Sequence, residues 1–253
     1  MILMNFPLLV FVLSFVVLLL AAAIGDVLRS RVHALNEDER DDFTVVLNAT
    51  LTLLALLIGF SFSMAISRYD QRKNYEEAEA NAIGTEYSRA DLLPAGDAAR
   101  VRQLLKKYVD ERILFYTTRN EARLAKINAD TAELQNALWA AIRPPAEANP
   151  TSPVVALAVS GMNDVLNSQG YTQAAWWNRI PLAAWGMMVA IAVSCNVLIG
   201  YGAHGRDWRT FLIVPIVVSI AFFLICDIDS PHGGAIRVAP QNLISLSESL
   251  RTQ

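Results

Sequence analysis

The feature that most constrains this chain is an uninterrupted helical pattern that changes from apolar to charged at its middle. Phe43–Ser67 contains no charged residue, whereas Arg68–Pro94 is densely charged, and only Gly59 and Gly84 interrupt good helix formers. The pattern predicts a single helix from Asp42 to Pro94. At 1.5 Å per residue it would be roughly 80 Å long, more than twice the thickness of a hydrocarbon core. The sequence therefore predicts a helix that leaves a membrane and continues into water.

One side of the apolar half carries mainly small and polar residues, and Thr44 lies on this side. Taking about 100° per residue, Phe60 points about 120° away from this side. Small and hydroxylated residues allow membrane helices to pack closely, so the side could be a packing surface. It could instead line a wet pore in which Phe62 and Ile66 form an apolar constriction. We call the seven residues of the pore hypothesis the candidate stripe: Asn48, Thr52, Ala55, Gly59, Phe62, Ser63 and Ile66.

The charged half of the same helix carries both signs of charge on several faces. Some of these residues should form ion pairs between helices or between subunits near the membrane surface. Removing one partner of a semi-buried pair costs roughly 3–5 kcal/mol, far more than for an exposed pair. The predicted structural ion pairs and contacts involve Arg68, Asp70, Arg72, Glu76, Glu79, Asn81 and Arg89.

Four apolar runs predict an integral membrane protein. Charged residues make up 18% of the chain, whereas soluble domains average about 25%. The first run lacks a preceding positive charge and is too long for a signal-peptide core, so it is predicted to be an uncleaved span. A net charge of −3 argues against nucleic-acid binding, which needs a basic face. The four runs are Phe6–Gly25, Phe43–Ser67, Ile180–Ala203 and Thr210–Cys226.

The region between the second and third runs is predicted to be an all-α soluble insert, since no alternating strand pattern occurs there. Asp42 is a plausible N-cap of the long helix, and Thr118 to Glu121 reads as a capping box. Pro144 and Pro145 are expected to end the helix that follows, and Ser152 with Pro153 to begin the next one. The predicted domains are residues 1–67 with the first two spans, 68–178 as a helical domain, 179–227 with the last two spans, and 228–253 as a tail with a short helix.

The sequence contains no motif of known enzyme chemistry. Phosphate loops, GxGxxG, HExxH and GxSxG are all absent. His33, His204 and His232 occupy separate loops, so neither a metal nor a cofactor is expected. Asp227 and Asp229 fall short of the roughly six oxygens that Ca²⁺ requires, and are expected to form a turn or pair with an arginine. The four spans carry no charged residue, which argues against a proton-driven pump.

Two long motifs resemble those of the bacterial bestrophin-like membrane proteins, a family of unknown function. They are GFSFSMAISRYDQRKNYEEAEANAIGTEYSRADLLP at Gly59–Pro94 and DIDSPHGGAIRVAPQNLISL at Asp227–Leu246. The resemblance implies a more distant similarity to bestrophins, which are pentameric anion channels whose second membrane helix lines the pore and carries an apolar neck. Phe62 and Ile66 would match that neck. The chain departs from animal bestrophins by lacking their dense acidic Ca²⁺-binding cluster.

Two functions from different classes follow from the sequence. The first is a homo-oligomeric, passive anion channel that contacts the lipid bilayer and small inorganic ions. The second is a non-conducting membrane scaffold or sensor whose helical domain docks a partner. Positive charges do not decide the orientation, because both sides carry similar numbers of arginines. The resemblance implies a bacterial inner-membrane protein with both termini and the helical domain in the cytoplasm.

Overall fold

The computed structural model describes residues 5–31, 36–203 and 208–252, and these ranges contain helices and no strand. The predicted all-α class is confirmed. The chain order is α1 Pro7–Arg31, α2 Glu37–Arg89, a 3₁₀ turn at Ala90–Leu92, α3 Ala95–Thr117, α4 Glu121–Ala148, α5 Pro153–Trp177, α6 Leu182–Gly202, α7 Trp208–Asp229 and α8 Gln241–Arg251.

The described residues include four helical stretches that are long and apolar enough to cross a membrane, in agreement with the sequence prediction. The apolar parts belong to α1, to the first half of α2, to α6 and to α7. His33 and His204, which the sequence places in loops, lie outside the described residues. The four stretches fall within Pro7–Arg31, Glu39–Leu92, Pro153–Gly202 and Phe211–Asp229.

The chain divides into two compact units, and α2 contributes to both. The first, here the membrane unit, consists of Met1–Arg68 and Arg179–Ile236. The second, here the helical unit, consists of Tyr69–Asn178 and Arg237–Gln253. The four domains proposed from the sequence, with their boundaries after residues 67, 178 and 227, remain a prediction.

Close backbone packing joins α1 to α6 in the membrane unit. A side chain on Gly25 would overlap the carbonyl oxygen of Val197, and one on Gly200 would overlap that of Ala22. Helix α1 also packs against α7. Small residues at helix crossings let backbones approach, which is the main source of association where no hydrophobic effect operates between helices. These glycines therefore define how α1 and α6 cross.

The helical unit has a conventional apolar core. Helix α3 packs against α4 and α8, and α4 packs against α5. Leu105, Tyr108, Leu138 and Met162 are completely buried between these helices. This core forms the frame in which several charged side chains of α2 are buried.

Two helix starts differ from the prediction. Helix α2 begins before Asp42, because the backbone N–H of Asn36 donates to the Glu39 carboxylate at 2.9 Å and closes a capping interaction one turn earlier. Helix α4 is capped not by Thr118 but by Asn120, whose side-chain oxygen accepts from a backbone N–H of the first turn.

The predicted end of α4 at its proline pair is also wrong. Pro144 and Pro145 lie inside the helix, which continues to Ala148. Each proline removes one backbone N–H, but Ile142 and Pro145 are buried, and their packing holds the last turn in place. The predicted start of α5 is confirmed, since Ser152 Oγ accepts a hydrogen bond from the first turn.

Candidate functional site

The candidate stripe lies on a side of α2 that the membrane unit leaves exposed. Phe62 and Ile66 are 36% and 39% exposed, and the other five residues of the stripe are exposed as well. The side of α2 that packs within the chain is different, because Leu54, Ser61 and Ala65 are buried. The stripe is therefore not the surface by which α2 packs against the rest of its own membrane unit.

An apolar groove of about 580 Å³ borders the stripe between α2 and α7. Ala55, Gly59 and Phe62 belong to both the stripe and the groove. A side chain on Gly59 would meet no atom within 4 Å, so the groove is open at this residue. The stripe thus has an apolar margin facing the groove and a more polar part away from it. The groove wall from α7 consists of Ile213, Val214, Val217, Val218, Ala221 and Leu224.

The polar part of the stripe is neutral and partly satisfied by its own helix. Thr52 Oγ1 donates to the Asn48 carbonyl at 2.8 Å, as Thr50 Oγ1 does to the Val46 carbonyl at 2.7 Å. The oxygen of Thr52 remains able to accept a hydrogen bond. No side chain between Phe43 and Ser67 is charged. An ion beside this surface would meet hydroxyl and amide dipoles without a fixed charge.

A buried ionic cluster around Glu79 occupies the centre of the helical unit. Arg112 Nε donates to Glu79 Oε1 at 2.5 Å, and both side chains are completely inaccessible to solvent. Tyr116 and Thr172 donate their hydroxyls to Glu79 Oε2 at 3.2 and 3.1 Å. The Arg112 guanidinium also lies 4.5 Å from the centre of the Phe115 ring. The cluster ties α2 to α3 and α5.

The electrostatics of this cluster favour the charged form of Arg112. Burial by itself would lower the pKa of Arg112, but the Glu79 carboxylate and the nearby Tyr108 and Tyr116 together outweigh it and raise that pKa above its ordinary value. Burial, and then the Glu79 carboxylate, raise the pKa of Tyr116, so its hydroxyl stays a donor. A buried, hydrogen-bonded pair of this kind holds the helices together.

Sequence reasoning named Glu79 but missed Arg112, Tyr116 and Thr172. A signal for Arg112 did exist. It falls on the same side of α3 as the aromatic residues Tyr108 and Phe115, at spacings of four and three residues. An arginine in an apolar helix face points to a buried partner.

Glu76 performs a different task in the helical unit. Its Oε1 accepts from the backbone N–H of Leu243 at 3.0 Å, and its Oε2 accepts from Asn242 Nδ2 at 2.7 Å. Both partners lie in the first turn of α8, whose own cap position is Pro240 with no side-chain hydrogen bond. Glu76 therefore caps α8 from a distant part of the chain and places a negative charge at its N-terminus.

The other residues of the predicted ion-pair set have varied surroundings. Arg68 lies 3.6 Å from Asp229 within the membrane unit. Arg72 is buried, while Asp70 and Asn81 are exposed. Arg89 is half-buried, and its neighbour Glu86, which the sequence did not single out, is completely buried.

The C-terminal motif uses its two aspartates to hold backbone. Asp227 accepts from the N–H groups of Ala235 and Ile236, both at 2.8 Å. Asp229 accepts from the N–H of Ile180 at 3.0 Å. Asp227 therefore holds a turn, and Asp229 also pairs with Arg68, so both of the predicted alternatives occur. Carboxylates that accept backbone N–H groups in this way do not fit a Ca²⁺ site, and the described residues contain no group of three or more His, Cys, Asp or Glu that could hold a metal ion.

Comparison with known proteins agrees with this architecture. No curated protein matches the sequence. A bacterial bestrophin homologue from Klebsiella pneumoniae, solved by Zn-SAD phasing, superposes with a TM-score of 0.66 at 16% identity, over 95% of this chain and 97% of that one. A mutant of that homologue gives a TM-score of 0.68 at 14% identity, over 96% and 98%.

At these identities the structural matches show a shared fold. The family comparison extends further, since the Bestrophin-like domain matches residues 8–243 and so covers almost the whole chain. The resemblance seen in the two sequence motifs is confirmed. The protein is a membrane protein that belongs to the bestrophin-like family.

Proposed function

We propose that this protein is a subunit of a homo-oligomeric channel that conducts small inorganic anions passively, with α2 lining the pore. The observation that carries the proposal is the candidate stripe, which is neutral, mostly small or polar, and exposed on a side of α2 that its own unit does not use for packing. Membership of the bestrophin-like family supports it, because bestrophins are the anion channels that the sequence resembles.

Lipid is a poor occupant for the polar part of the stripe. The amide of Asn48 and the hydroxyl of Ser63 would lose hydrogen-bonding partners in hydrocarbon, where each unsatisfied group is costly. Water or a neighbouring subunit would satisfy them. In a closed ring of identical subunits, the equivalent stripes face a common axis. The resemblance to bestrophins makes five subunits the expected number, with both termini in the cytoplasm of a bacterial inner-membrane protein.

Phe62 and Ile66 are the proposed constriction. They are four residues apart, so they lie on neighbouring turns, and repeated around a ring they would form two adjacent apolar collars. An ion crossing such collars loses water without gaining a ligand, which is how apolar constrictions gate. The stripe residues that precede Phe62 in the sequence are neutral and do not repel anions. Smaller side chains at both collars should therefore increase anion flux.

The test is a halide-flux assay on protein reconstituted in liposomes. It compares the wild type with the double variant Phe62→Ala and Ile66→Ala. Phe60→Ala is the matched control, because it removes the same ring from a residue that is 69% exposed on another side of α2. We expect the double variant to conduct faster than the wild type and the Phe60 variant to conduct like it.

Native mass spectrometry of the same preparations measures the number of subunits. A ring of five that conducts halide supports the proposal. If none of the three proteins conducts although each is folded and inserted, the channel function is wrong and the scaffold or sensor function replaces it. A monomer or closed dimer would lead to the same conclusion, since neither forms a central axis.

A further inference from the structure

Three glutamates on the charged half of α2 are buried in the helical unit, but only two of them are bonded. Glu79 and Glu76 each accept hydrogen bonds at both carboxylate oxygens. Glu86 is completely buried, and neither of its oxygens accepts a hydrogen bond from the described residues. An ionised carboxylate is costly to bury without donors, whereas a protonated one costs much less.

The surroundings of Glu86 show why it lacks donors. Its carboxyl group lies against α5 at Gly161, where any side chain would overlap both Glu86 Oε2 and Arg89 Nη1. The charged groups that act on it are Arg89, on its own helix, and Asp164, on α5. The arginine favours the ionised carboxylate and the aspartate opposes it. The glycine allows α2 and α5 to approach until the carboxyl group is sealed between them.

The balance of these effects keeps a proton on the carboxyl group. Burial raises the pKa of Glu86 from 4.5 to about 8, with Arg89 lowering it and Asp164 raising it. Glu86 belongs to the helical unit and lies well beyond the apolar residues of α2, which end at Ser67. It is therefore outside the apolar part of α2, and its pKa lies near physiological pH.

We propose that Glu86 is a proton-controlled contact between α2 and α5, packed against Gly161 while protonated and opened when it ionises. Ionisation releases the proton to solvent and leaves a carboxylate that must recruit water or the Arg89 guanidinium. Either change loosens the fit at Gly161. The proposal does not depend on whether the protein conducts ions.

The direction of the pH effect follows from the raised pKa. Between about 4.5 and about 8 the folded protein binds a proton at Glu86 that the unfolded chain does not. The contribution of Glu86 to stability is therefore fully present below the lower value and is lost as the pH rises through the higher one. Other carboxylates also titrate, so the informative quantity is the difference between the wild type and a variant without this proton.

The experiment measures the unfolding midpoint of the detergent-purified protein across this pH range. Glu86→Gln imitates the protonated carboxyl group, and Glu77→Gln is the control because Glu77 is exposed on the same helix. We expect the wild type and the control to lose stability relative to Glu86→Gln as the pH rises to about 8. Equal pH profiles of all three proteins would overturn the proposal.

A second measurement observes the proton itself and does not require Glu86→Gln to fold. Infrared difference spectroscopy of the wild type should show a buried protonated carboxyl group at neutral pH that disappears on alkalinisation. Asp164→Asn removes the negative neighbour and should move this change to lower pH. A wild type without such a band, or an Asp164→Asn variant that leaves its midpoint unmoved or raises it, would contradict the proposal.

Discussion

The two halves of α2 differ in which polar side chains they bury against the rest of the chain. In the apolar half, the residues that pack inward are Leu54, Ser61 and Ala65, while the polar members of the candidate stripe are exposed. In the charged half, the buried acidic and basic side chains are Arg72, Glu76, Glu79 and Glu86. One continuous helix thus exposes most of the polar side chains of its apolar half and buries several charged side chains of its other half.

Whether a polar side chain of α2 is buried or exposed depends on the partners that the rest of its unit offers. Glu79 is tolerated in the core because Arg112 and two hydroxyls bond it, and Glu76 because it caps α8. The stripe has no comparable set of partners from other helices of its unit among the contacts described above. Under the proposed channel function, its partners would be water, ions or other subunits.

The largest effect should come from breaking the buried pair of the charged half. Glu79→Ala leaves the Arg112 guanidinium buried without its carboxylate, which should cost about 3–5 kcal/mol of unfolding free energy. Denaturant unfolding in detergent measures this loss. Glu77→Ala, at an exposed residue of the same helix, should change the stability by less than about 0.5 kcal/mol.

A double variant tests whether Glu79 and Arg112 act as a pair. Glu79→Leu combined with Arg112→Met removes both charges, so it should recover part of the loss caused by either change alone. Full additivity of the two single changes would mean that the residues do not act as a pair. If Glu79→Ala were as stable as the wild type, the cluster would behave as a solvated surface. The two halves of α2 would then not differ in how they use polar residues.

A smaller and more local effect is expected from the cap that α2 supplies to α8. Glu76→Ala removes the acceptor of the Leu243 N–H and of the Asn242 amide, at a cost of about 1–3 kcal/mol. Hydrogen exchange should become faster in the first turn of α8 and change little in α4. Asn81→Ala, at an exposed residue of α2, serves as the control. Unchanged exchange at α8 would show that the helix does not need this carboxylate.

Most of the fold could be predicted from the sequence because its strongest signals are long. The four apolar runs and the charged continuation of α2 each involve many residues, so a wrong cap or helix end does not change their assignment. The errors were local. The capping box at Thr118 and the stop at Pro144 failed because Asn120 competes as a cap, and because buried Ile142 and Pro145 hold the last turn of α4.

The site could be predicted only in part. Periodicity placed the stripe residues on one side of α2, since that depends on a single helix. It could not identify the partners of Glu76 or Glu79, because Leu243 and Arg112 come from other helices and depend on how those pack. It also missed Glu86, whose burial depends on a glycine of α5.

The weakest effect on stability should come from changes within the stripe, where little packs inside the chain. Single cysteines at Asn48, Thr52 and Ser63 should each alter the unfolding free energy by less than about 0.5 kcal/mol. They are nevertheless the residues at which the account makes its strongest functional claim. Leu54→Cys, on the buried side of the same turns, should be more damaging.

The most direct test is the reaction of these cysteines with a membrane-impermeant, water-soluble thiol reagent in liposomes. The native Cys195 and Cys226 are buried, and unmodified wild type gives the background. If α2 lines an aqueous path, cysteines at Thr52 and Ser63 should react and their modification should reduce halide flux, while Phe60→Cys should stay unreactive in lipid. Equal reactivity at Phe60 and at the stripe, or none at the stripe, would contradict the account.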